Sequence, residues 1–200
     1  AYPILKKRHL PFTVYICTNL PDENLTTWWY KLESIILKHD SVSFTFKGNN
    51  YQFETGSMLR KNTAFESIRS LILREINENL TDIQNAFATY KTDQDGELND
   101  IVMKWNEIVE MSRDPLVTIG AHTVRHLPLK TLGDEAVRRE IMLSKEIIES
   151  KIFKKVDHFA YPYGKKDTTG AREFAIASEC GFKTMTTTRD ASIFREHAGY

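Results

Sequence analysis

The sequence has no apolar run near the roughly 18 residues that a membrane-spanning helix needs, and it has few cysteines. Cys17 and Cys180 form neither a disulfide framework nor a zinc-ribbon spacing, and two thiols do not specify a compartment. Charge of one sign is missing too: 27 basic and 27 acidic residues give a formal net charge of zero. That balance offers no electrostatic reason to expect nucleic acid, an anionic membrane or a polyanion as partner. No internal repeat, low-complexity tract or interdomain linker stands out. The chain opens without Met, so the lack of a leader does not decide between an envelope and a cytoplasmic location. What is present is ordinary for a folded globular chain, with 41% hydrophobic and 27% charged residues in 200. Residues 1–200 are read as a single domain.

Periodicity alternates between two and 3.6. Tyr2 to His9 reads as the last turns of a helix, and Pro11 to Ile16 as a strand rich in β-branched and aromatic residues. Thr26 or Thr27 can cap a helix through Lys38, with Trp28 or Trp29, Leu32, Ile35 and Ile36 inward. Residues 41–54 alternate, turn at Gly48-Asn49-Asn50 and alternate back, predicting a β-hairpin insertion. Its aromatics are read as packing on a neighbouring helix, in preference to stacking on sugar rings. Phe65, Ile68, Ile72 and Ile76 mark a further helix, and Thr81 to Tyr90 a shorter one. Asp93 to Gly96 shares features with a calcium loop, but Lys91 and Val102 occupy ligand positions, so it is read as a solvated turn. Leu98, Ile101, Trp105 and Ile108 predict a helix, with Trp105 in the core. Asp134 to Ile152 is strongly amphipathic, with Val137, Ile141, Ile148 and Ile152 in one stripe. A strand over Val156 to Ala160, a helix from Ala171 to Cys180 stopped by Gly181, and a strand over Lys183 to Thr187 complete the pattern. Four core strands alternating with helices predict an α/β chain.

The stretch of chemical interest is Asp114 to Leu129. Leu116 to Ile119 reads as a buried strand ended by Gly120, followed by His122 and His126. Neutral imidazole is the commonest metal ligand, and two of them one helical turn apart can share an ion. Six His in 200 residues leave about a 0.15 chance of such a pair, so spacing alone is a weak signal. The Glu of a zinc-protease H-E-x-x-H is replaced by Thr123.

I-G-A-H-T-V-R-H-L-P-L resembles the H-[ST]-x-x-H signature of the NodB-type polysaccharide deacetylases, carbohydrate esterase family 4. Phe159-Ala160-Tyr161-Pro162-Tyr163-Gly164 looks like that family's R-x-P-Y groove segment. The likeness runs from Ala1-Tyr2-Pro3 to Thr188-Arg189. The resemblance implies a distorted, incomplete (β/α)7 barrel with a β-hairpin insertion. It assigns His122 and His126 to a divalent metal, usually zinc, and Thr123 as the supporting hydroxyl. It makes Tyr161, Pro162 and Tyr163 substrate-binding, with the Tyr163 backbone N–H as oxyanion donor.

Deacetylation needs more than a metal. A carboxylate must take a proton from water, and an acid must return one to the leaving amine. The family draws its third ligand and its base from a T-F-D-D strand, expected upstream of Ala1. Asp114 and Asp157 precede their strands and so fall at the wrong end of the barrel, and Asp167 matches no motif position. The general acid, a His in a late L-x-H motif, is expected beyond Tyr200. His197 is the nearest candidate here, with Arg195 where the family has Leu. Ala160 stands where the family often has the Arg that orients the base.

The resemblance therefore implies a metal-dependent hydrolase removing N-acetyl or O-acetyl groups from a polysaccharide or glycan precursor. Two other functions fit the residues: a carbohydrate-binding or scaffolding barrel without catalysis, and another metal-dependent amidohydrolase. The latter class usually shows an H-x-H that this chain lacks. These 200 residues alone are expected to be inactive and prone to self-association through an exposed strand edge.

Overall fold

The computed structural model describes residues 2–22, 27–78, 80–91 and 102–190. Thr26, Asp93 to Gly96, Leu98, Ile101 and His197 lie outside the described residues. In chain order the elements are α1 (Tyr2–Lys7), β1 (Phe12–Ile16), α2 (Trp28–Lys38), β2 (Ser41–Phe46), β3 (Asn49–Glu54), α3 (Met58–Glu75) and α4 (Thr81–Ala86). There follow α5 (Trp105–Met111), β4 (Val117–Ala121), a 3-10 turn (Leu129–Thr131), α6 (Asp134–Ile152), β5 (His158–Ala160), α7 (Ala171–Glu179) and β6 (Thr184–Thr186). They fall into two compact units, residues 1–25 with 103–200, and residues 26–102.

The first unit is built on the predicted four strands, paired in parallel in the order β1-β4-β5-β6. Parallel neighbours need crossovers, and α6 and α7 supply those from β4 to β5 and from β5 to β6. The described strands form an open sheet rather than a closed barrel. The α6 stripe is as expected: Val137, Ile141 and Ile148 are fully buried and Ile152 nearly so. Each such side chain contributes about 1.5–3 kcal/mol of burial. Asp134 and Glu135 in its first turn and Lys151 in its last complement the helix dipole. Gly181 ends α7 as predicted, with φ +76° and its N–H on the Ser178 carbonyl at 2.9 Å.

Two readings need correction in this unit. Gly120 does not end β4, because the ladder to β1 continues through Tyr15↔Gly120 and Ile16↔Ala121. A Cβ at Gly120 would lie 2.5 Å from Tyr15 Cδ1, so the glycine makes room for that ring. Trp105 is only half-buried, with its Nε1 donating to Asp22 Oδ1 at 2.8 Å and Lys151 Nζ 5.6 Å from its ring centroid. It opens a helix instead of filling the core.

In the second unit, Trp28, Leu32, Ile35 and Ile36 form the buried face of α2. Lys61 of α3 donates to the Ile36, Leu37 and His39 carbonyls at the end of α2, at 2.6, 3.0 and 3.0 Å. The hairpin turns at Lys47-Gly48, not at Gly48-Asn49-Asn50. Phe46 pairs with Asn49, and φ of +48° and +79° across the two loop residues matches the twist of the strands. Val42, Phe44 and Phe46 point inward, and Phe44 meets Phe87 at 5.2 Å, so this face is packed, as favoured. α4 stops at Ala86, short of Tyr90. Beyond it, Ala88 and Tyr90 bond three residues back, and the Tyr90 hydroxyl bridges both backbone polar groups of Ser43.

Candidate functional site

The two histidines leave the C-terminal end of β4 and converge, with ring centroids 4.7 Å apart and planes at 73°. They do so without a helix. His122 extends the sheet ladder, its N–H on the Ile16 carbonyl at 2.9 Å. The chain then reverses through Thr123 (φ +66°) and His126 (φ +57°), a left-handed conformation that costs a non-glycine residue about 1 kcal/mol or more. The expectation of one helical face is thus replaced by a strained loop that reaches the same juxtaposition.

His122 Nδ1 lies 2.7 Å from the Ala160 carbonyl oxygen. A carbonyl only accepts, so Nδ1 carries the proton and Nε2 carries the lone pair. Burial lowers the pKa of His122. Burial, then the neighbouring charge of His122, pushes His126 down to about 3. Both rings are therefore neutral near pH 7, the form that ligates metal.

The loop is clamped from several sides. Thr123 is fully buried, and its Oγ1 accepts the His126 N–H at 3.1 Å. The Thr18 and Asn19 N–H groups bond the Thr123 and Val124 carbonyls, each at 3.1 Å. Glu140 of α6 accepts the Val124 and Arg125 N–H groups on Oε2, at 3.1 and 2.9 Å, and Arg125 Nε on Oε1 at 2.6 Å. Sequence reasoning missed Glu140. The available signal was an acidic residue between Val137 and Ile141, on the helix's apolar stripe.

The Tyr161-Pro162-Tyr163 segment follows β5. Tyr161 was expected to bind substrate, but its side chain is 2% exposed, packed against Phe159 at 4.9 Å and Phe174 at 5.2 Å. That ring is core, because period two puts residue 161 on the same face as Phe159. Pro162 is buried as well. Tyr163 remains at the site, its ring 4.8 Å from His126. Its φ is +61°, and Thr188 Oγ1 donates to its carbonyl at 2.6 Å. Gly164 follows with φ +63°, and a Cβ there would lie 2.5 Å from Thr188 N.

The carboxylates set aside on sequence grounds are placed accordingly. Asp114, at the start of β4, pairs with Lys6 at 3.0 Å, and Asp157, before β5, pairs with Lys183 at 2.7 Å. Among the described residues no group of three or more His, Cys, Asp or Glu could hold a metal ion. The pair fits a divalent ion by donor type, tautomer and neutral state.

No curated protein matches the chain. Among solved structures it is similar to the BpsB deacetylase domain from Bordetella bronchiseptica, at 12% identity over 95% of this chain and 58% of that one, TM-score 0.48. It is also similar to a de-N-acetylase from Aggregatibacter actinomycetemcomitans, at 14% identity over 93% and 56%, TM-score 0.45. A third is the Streptococcus pyogenes deacetylase PplD in complex with acetate, at 21% identity over 44% and 38%, TM-score 0.41. The chain spans less than two thirds of each of these structures. The family model described as Polysaccharide deacetylase matches residues 1–185, nearly the whole chain, and the chain belongs to that family.

Proposed function

We propose that this chain carries the metal-holding part of a deacetylase that removes N-acetyl or O-acetyl groups from a polysaccharide or glycan precursor. The observation that supports it best is the convergence of two neutral imidazoles 4.7 Å apart, with His122 Nδ1 bound to a carbonyl so that Nε2 keeps its lone pair. His122 and His126 hold the ion, zinc or another divalent metal, and Thr123 fixes the loop between them. When bound, the ion supplies Lewis acidity to an acetyl carbonyl and acidifies a water. The Tyr163 backbone N–H is assigned to the developing oxyanion. A third ligand and a carboxylate base are required from outside the described residues. The free edge of β1, which among the described residues pairs only with β4, is expected to drive concentration-dependent association visible by light scattering.

The test is calorimetric titration of zinc chloride, paired with acetate release from N-acetylated chito-oligosaccharides with and without chelator. Binding that disappears in the His122→Ala, His126→Ala double variant supports the metal site. Equal binding by that variant sinks it. Chelator-sensitive release by this chain alone would place the base within it. Zinc binding that persists without release, even in a longer chain supplying both carboxylates, would favour a carbohydrate-binding or scaffolding barrel.

A further inference from the structure

Glu140 is 2% exposed, on the face of α6 that otherwise buries Val137, Ile141 and Ile148. A carboxylate in such a place is costly unless its oxygens are matched by donors. Here they are matched by three, all from two adjacent residues: the Val124 and Arg125 N–H groups and Arg125 Nε. Those residues lie between Thr123 and His126, the two positions where this loop takes positive φ. Without the carboxylate, two backbone N–H groups at the turn lose their acceptor. The left-handed residues then lose part of what holds them away from their preferred φ.

We propose that Glu140 is a positioning residue for the His122/His126 site. Its carboxylate fixes the turn over residues 123–126 and so sets where the His126 imidazole stands relative to His122. The inference rests on the reading of the pair as metal ligands. It differs from that reading in the residue it tests and in making a claim about the metal-free protein. An uncharged amide at position 140 cannot serve all three donors, because one of its two polar atoms is itself a donor. Glu140→Asp keeps the charge and shortens the reach, so part of the function should return.

The experiment compares wild type, Glu140→Gln, Glu140→Asp and Ile141→Ala, the last a neighbour on the same helix that bonds nothing in the loop. Amide hydrogen exchange is read on the metal-free proteins. Zinc chloride titration and the visible spectrum of added cobalt(II) are read below each variant's unfolding midpoint. Glu140→Gln should speed exchange at Val124 and Arg125, weaken zinc about 10- to 100-fold and change the cobalt spectrum. Glu140→Asp should fall between it and wild type, and Ile141→Ala should lose stability while keeping the wild-type Kd. A folded Glu140→Gln protein with wild-type exchange, Kd and cobalt spectrum overturns the proposal. If Glu140→Gln does not fold, wild-type values in Glu140→Asp overturn it. If wild type itself binds no zinc, the metal reading fails, and unchanged Val124 and Arg125 exchange in Glu140→Gln would then overturn the positioning role as well.

Discussion

His122 presents Nδ1 to the Ala160 carbonyl at 2.7 Å, so the backbone of the second motif fixes the tautomer of the first. The bond is made by a carbonyl, which every residue type carries. The missing Arg at position 160 therefore leaves the His122 contact intact. Ala160→Arg is expected to leave zinc affinity within about twofold of wild type, because the bonded group is unchanged. His122→Ala should abolish titratable binding, since one imidazole alone makes a weak site. A tenfold change on Ala160→Arg would show that the side-chain position itself governs the metal site.

Much of this arrangement is legible in the residues, and the parts that are not have physical reasons. The limits of α6, Asp134 and Ile152, follow from its stripe, and Gly181 is recognisable as a helix stop. The histidine pair is visible through its motif, but its route is not. Spacing of four suggests a helical turn, whereas left-handed Thr123 and His126 bring the rings together in a loop. Such φ values depend on tertiary clamps, above all Glu140, which lies 14 residues beyond His126 in sequence. The motif directs attention to Tyr161 as a groove residue, whereas strand alternation groups its ring with buried Phe159. Gly120 looks like a terminator in sequence, and only the Tyr15 ring shows why a glycine belongs inside the strand.

Ile141 is fully buried on α6 between Val137 and Ile148. Ile141→Ala should lower unfolding free energy by about 2–5 kcal/mol, the range for large-to-small changes in well-packed cores. Urea denaturation followed by circular dichroism measures it. An unchanged midpoint would mean that the stripe does not pack as described.

Asp114 links α1 to the start of β4. Its pKa is lowered first by the Leu116 N–H at 3.1 Å, then by Lys6 and by the Tyr2 hydroxyl at 2.9 Å. A carboxylate depressed in the folded state contributes stability above its unfolded pKa, about 3.9, and loses it as pH falls through the folded value. The thermal midpoint of wild type should exceed that of Asp114→Asn near neutrality, and the gap should close on acidification below about pH 4. The gap should be small, because Lys6 is largely exposed. A gap constant from neutrality down to about pH 2 would show that Asp114 acts without its charge.

A close approach at Gly120 lets β4 run on alongside β1 toward His122. A methyl on residue 120 would meet Tyr15 Cδ1 at 2.5 Å and Cε1 at 2.6 Å, and the His158 carbonyl oxygen at 3.0 Å. The ring is the part that can give way, since the carbonyl belongs to neighbouring β5. Gly120→Ala should therefore cost about 1–3 kcal/mol, the usual range for overpacking. Most of that cost should vanish when Tyr15 is also Ala, so the pair should be non-additive in a double-mutant cycle. The remainder reports the His158 contact. Denaturant titrations of the four proteins settle it. If the two costs simply add, the glycine is there for a reason other than the tyrosine ring. His122 takes its backbone bond from Ile16, one residue beyond Tyr15, so a shift of β4 against β1 is passed directly to the first histidine.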